Sequence, residues 1–77
     1  MVTRDILNSA VRDEDGNYWL VTTPERYHRD IEPGANRVFA TAEGQPLPGD
    51  KEVAVVLNAA GEFIRWGEPS EFDARFS

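Results

Sequence analysis

Apolar residues in this chain come in short runs that alternate with polar ones, and turn-forming residues cut the runs off after five to eight positions. That rhythm suits strands better than helices. The clearest run is Asn17-Tyr18-Trp19-Leu20-Val21-Thr22-Thr23, rich in aromatic and β-branched residues. Asp15-Gly16 precedes it. Asp-Gly is a hairpin signal, because a type I′ turn needs positive φ at both central residues. The partner strand on this reading covers residues 6–12. A helix competes for that segment, since Ile6, Leu7, Ala10 and Val11 also share a helical face with Thr3 as a possible N-cap. The acidic turn Asp13-Glu14-Asp15-Gly16 favours the strand.

Thr23-Pro24 suits a short helix, with Thr23 as N-cap and Pro24 in the first helical position. Tyr27 and Ile31 would then share a face; an extended segment is the competing reading. Glu32-Pro33-Gly34-Ala35 fits a type II turn. Residues 37–42 read as a strand. Residues 43–50 read as a loop stiffened by Pro46 and Pro48 and closed by Pro48-Gly49. Residues 52–57 form the most buried-looking strand, because both faces are apolar, and this places it centrally. Asn58-Ala59-Ala60-Gly61 is a tight connection with a left-handed Gly61, and residues 62–66 return antiparallel. In the tail, Ser70 and Asp73 are spaced as a capping box, and Phe72 and Phe76 fall on one side of a helical turn.

The expected fold is mainly β: a small antiparallel sheet of about five strands, curled into a barrel or roll of SH3-like or OB-like size, with one short helix allowed. A flatter α+β sheet with one packed helix is the alternative. Residues 1–67 make the domain, and residues 68–77 an acidic, aromatic C-terminal tail.

Composition narrows the chemistry. In 77 residues there is no cysteine, so disulfides and thiolate metal sites are excluded. The net charge is −6, from 14 acidic and 8 basic residues. Direct binding to nucleic acid depends on Lys and Arg at phosphates, and Arg4, Arg12 and Arg37 stand singly among acids. The same balance disfavours an anionic membrane surface. Val53-Ala54-Val55-Val56-Leu57 is far short of the ~20 apolar residues of a membrane span. Met1-Val2-Thr3-Arg4-Asp5 does not resemble a secretory leader, and the expected location is the cytoplasm. A single lysine, Lys51, among mostly arginine cations is the usage of a GC-rich bacterial or phage genome.

Catalytic constellations fail on inspection. His28 is the one histidine, and it reads as a surface or contact residue. Asp13-x-Asp15-x-Asn17 matches the opening of a calcium-binding EF-hand loop, but Tyr18 stands where the loop needs Gly and Pro24 where it needs Glu. Ser9, Ser70 and Ser77 lie in no nucleophile elbow, and there is no phosphate-binding glycine loop. No catalytic, cofactor-binding or metal-binding residue is expected, and no cofactor.

Binding features remain. Asp13, Glu14 and Asp15 cluster at one turn, and Glu68, Glu71 and Asp73 in the tail. Alternation along strands predicts surplus aromatics: with Tyr18 and Leu20 inward, Trp19 and Val21 point outward, and with Ile64 and Trp66 inward, Phe63 points outward. Exposed Trp and Tyr are common interface anchors. Phe72 and Phe76 either fold over the domain's own sheet or dock in a partner's groove. The candidate partner-binding set is therefore Asp13, Glu14, Asp15, Trp19, Glu68, Glu71, Phe72 and Phe76. The expected function is non-catalytic protein–protein binding. Its most specific form is a small acidic inhibitor from a phage or mobile element, of anti-CRISPR or DNA-mimic type, that covers a basic nucleic-acid-binding surface on a host protein. The alternative is a small structural or assembly component, such as a virion part or an oligomeric β-protein.

Overall fold

A run that is apolar on both pleated faces must lie mid-sheet with both faces covered, and residues 53–57 do so. The computed structural model describes residues 10–33 and 39–76. Four strands, β1 (Val11–Arg12), β2 (Tyr18–Thr22), β3 (Val53–Leu57) and β4 (Phe63–Gly67), form one antiparallel sheet in the order β1-β2-β3-β4. All five residues of β3 are buried. Register places Tyr18 opposite Leu57, Trp19 opposite Val56, and Leu20 opposite Val55. Tyr18 and Leu20 therefore share one face with Val53, Val55 and Leu57. Trp19 lies on the other face with Ala54 and Val56.

Each face has its own helix. α1 (Pro24–Asp30) begins as its sequence requires: the Arg26 N–H donates to Thr23 Oγ1 at 3.2 Å, and Pro24, which has no N–H, leaves no orphan donor at its place in the first turn. It delivers Tyr27 and Ile31 onto the first face, where Phe39 joins them, with Leu47 packed against the cluster. α2 (Pro69–Phe76) covers the second face with Phe72 and Phe76. Its start departs from the expected Ser70–Asp73 box. Glu71 reaches back instead, and Glu68 N–H donates to its Oε2 at 3.0 Å. This carboxylate lies so close over Gly67 that a Cβ there would collide with it.

The sheet is α+β in character and does not close into a barrel. A closed barrel turns one face of every strand to solvent. Here Trp19, Ala54 and Val56 make the second face apolar as well, so a second covering layer replaces closure. The expected strand over residues 37–42 reduces to an isolated bridge between Ala40 and Pro46. Arg37 and Val38 lie outside the described residues, as do Gly34 and Ala35 of the expected turn. Residues 6–9 and Thr3 also lie outside them; the first strand is described only at Val11–Arg12.

Three turns share one construction. In each, a left-handed glycine sits fourth, and the first and fifth residues pair: Asp13 N–H to Asn17 O at 2.9 Å, Thr41 N–H to Gln45 O at 2.9 Å, and Asn58 N–H to Glu62 O at 2.8 Å. The first side chain accepts from the turn's own amides: Asp13 from Asp15 and Asn17, Asn58 from Ala60 and Glu62, and Thr41 from Gln45. No described non-glycine residue has positive φ. The Asp15-Gly16 turn is therefore a three-residue loop with a left-handed glycine, not type I′.

Candidate functional site

Trp19 organises the second face. It was expected to point away from Tyr18 and Leu20, and it does, but it is 4% exposed rather than open to solvent. Phe76 meets its ring edge-on at 5.7 Å between centroids. Its indole N–H donates to Asp13 Oδ2 at 2.7 Å. Two guanidiniums stand over the ring, Arg65 at 5.1 Å and Arg75 at 5.4 Å from its centroid. Trp19 is thus fixed on its polar edge, on its ring face and by an aromatic neighbour.

The three acids of the first turn are not equivalent. The Asp13 side chain is 3% exposed, and it accepts from two backbone amides and from the indole. Burial works against its ionised form. The Trp19 indole N–H, the Asn17 and Asp15 amides and the Arg75 guanidinium together outweigh that, and hold its pKa below the ordinary 3.8. Glu14 and Asp15 are exposed, and they reach the same guanidinium: Arg75 Nη2 lies 3.6 Å from Asp13 Oδ2, 3.8 Å from Glu14 Oε1 and 3.6 Å from Asp15 Oδ2. Asp13 is a structural residue of the turn, while Glu14 and Asp15 are surface charges.

Two of the three tail acids are also engaged. Glu68 lies 3.5 Å from Lys51 Nζ, and Glu71 Oε1 lies 3.7 Å from Arg65 Nη1. Phe72 and Phe76 are half-buried against Trp19, Ala54 and Val56, so the tail packs on its own sheet. The structure therefore gathers Asp13, Glu14, Asp15, Trp19, Phe72 and Phe76 into one region and adds Arg75. Glu71 joins it through Arg65, which also stands over Trp19. Glu68 stands apart at Lys51.

Alternation misassigned β4. A bulge between Val56 and Leu57 leaves Ile64 out of the ladder, with Trp66 opposite Val55 and Phe63 opposite Leu57. Phe63 and Trp66 both turn to the first face. Among the described residues, the exposed large apolar ones are aliphatic: Val11 at 37%, Val21 at 40% and Ile64 at 47%. His28 sits beside Tyr27 and Phe39, and its Nδ1 is buried without a hydrogen-bond partner among the described residues. Arg65 and Arg75 were missed as site residues. The sequence offers one signal for Arg75, its place between Phe72 and Phe76 on the helix.

Among the described residues, no three His, Asp or Glu side chains gather as a metal site, and no helix is long and apolar enough to cross a membrane. No protein-family model, curated protein or solved structure matches this chain.

Proposed function

We propose that this chain is a non-catalytic protein-binding module acting in the cytoplasm. Its most specific form is a phage or mobile-element inhibitor, of anti-CRISPR or DNA-mimic type, that covers a basic nucleic-acid-binding surface on a host protein. The observation that carries this reading is the surplus of unpaired carboxylates. Glu43, Asp50, Glu52 and Asp73 are exposed and make no ion pair among the described residues, while Glu14, Asp15 and Glu68 add exposed acid at turn and tail. Charge of one sign steers association with a surface of the other and sets its register. The test is capture of host proteins by the tagged chain at low salt, followed by elution with duplex DNA. Recovery of a nucleic-acid enzyme that DNA displaces supports the reading. Recovery of partners that neither salt nor DNA releases would sink the mimic form.

The exposed Ile64 on edge strand β4 favours the second reading, a self-assembling structural component. A solution mass that is a multiple of 8.7 kDa at low concentration would select it.

A further inference from the structure

α2 is held to the sheet by half-buried rings and ion pairs. None of its residues is fully buried. Its attachments are Phe72 and Phe76 on the sheet, Arg75 on the turn carboxylates, and Glu71 on Arg65. The surface beneath it also has anchors that do not involve α2. Ala54 and Val56 belong to the central strand, and Trp19 is fixed by its bond to Asp13, whose other oxygen is held by its own turn.

The cover is also smaller than the face. Val11 is the register partner of Trp19, and Val21 lies two residues along β2, so both share Trp19's side of the sheet. Both stay exposed. An eight-residue helix is below the ~12–15 residues that persist alone in water, so a detached α2 loses its helix. Segments with few buried apolar contacts are the first to open.

We propose that α2 is a displaceable cover over a preformed docking face, Trp19, Ala54 and Val56 extended by Val11 and Val21, and that the partner brings a longer segment of α2's own chemistry. That segment carries two aromatic side chains one helical turn apart and an arginine beside them. The aromatics take the places of Phe72 and Phe76. The arginine takes the place of Arg75, over the Trp19 ring and between the carboxylates of Asp13, Glu14 and Asp15. A basic partner surface supplies such arginines, so the inference rests on the binding-module reading and names the contact it uses. α2 is tethered, and a short tether gives an effective concentration of the order of millimolar. The partner segment wins by covering the two valines as well.

Hydrogen exchange on the full chain tests the cover without any partner. The amides of residues 73–76 should exchange at least tenfold faster than the β3 amides. Equal rates would mean that α2 leaves only when the whole fold unfolds, and would overturn the proposal while leaving the binding-module reading intact. The occupant is tested with a synthetic peptide of residues 68–77 added to the full-length Phe76→Ala chain. The peptide should return the Trp19 indole resonance to its wild-type position, and the same peptide with Arg75→Ala should bind at least tenfold more weakly. No response to either peptide, equal response to both, or a Phe76→Ala chain that does not fold would each overturn the proposal. Failure of the DNA-displacement capture, with these results as expected, would remove the inhibitor reading and leave the cover standing.

Discussion

The two faces of the sheet are closed by different means. On the first, Tyr27, Ile31 and Phe39 are buried with Val53, Val55 and Leu57, and rings meet edge-to-face at 5.3 Å (Tyr27–Phe39), 5.5 Å (Tyr27–Phe63) and 5.7 Å (Phe39–Phe63). That closure is shape and desolvation. On the second, three buried residues carry a short helix whose grip is half apolar and half ionic. A domain this small has little apolar material. It commits most of it to one side, and covers the other with a helix that salt and pH can loosen.

The contrast predicts a ranking of effects. Tyr27→Ala should cost about 3–5 kcal/mol, the range for removing a buried ring, which is comparable to the whole stability of a domain this size at ~5 kcal/mol. Urea denaturation followed by circular dichroism measures it. Phe76→Ala should cost only about 1–2 kcal/mol, because a half-buried ring loses less on truncation, and the β3 amides should stay protected. If the second loss equalled the first, the two faces would be alike and the contrast would fail.

Acid should act on the second face. Asp13 has a folded pKa below its unfolded one, so its contribution is fully present above the unfolded value and is lost as pH falls through the folded value. The melting temperature should therefore drop below about pH 4, and Asp13→Asn should flatten that limb, starting from a lower plateau. Asp30 is also held low, by its hydrogen bond from Arg29 at 3.0 Å, but it is a solvated surface pair and adds little to the limb. An acid limb unchanged in Asp13→Asn would show that the turn carboxylate does not anchor the second face. The smallest effect belongs to Glu14→Gln, a surface charge expected to shift stability by no more than about 0.5 kcal/mol in the same melts. In the sequence the three turn acids form a single cluster. Burial of Asp13 beneath Trp19 and Arg75 separates it from the other two.

Local chemistry was readable in the chain where a residue acts on its neighbours. The Thr23-Pro24 helix start, the left-handed Gly61, and β3 as the strand apolar on both sides all follow from short-range rules, and all stand in the structure. What failed depended on distance or on count. The bulge at Ile64 adds one residue, and so reverses the faces inferred for everything before it in β4. Strict alternation cannot signal that. Trp19 was placed on the correct side and misjudged as exposed, because its cover comes from the far end of the chain. The sequence marks Arg75 by its place between Phe72 and Phe76, but nothing local points it to the first turn. The barrel failed for the same reason: two apolar faces on the central strands were visible, but not that each would find its own helix.

The recurring turn has a kinetic consequence. The turns at residues 13–17 and 58–62 close β1 onto β2 and β3 onto β4 between neighbours in sequence. Such hairpins form in about 1–10 μs. The ladder from Tyr18↔Leu57 to Thr22↔Val53 instead has residues 23–52 between its strands, and must meet the entropy of closing that long loop. Topology therefore predicts that the folding barrier is the docking of the two hairpins, with α2 adding its weight afterwards. A substitution at Val55 should slow folding, whereas one at Phe72 should leave that rate alone and hasten unfolding.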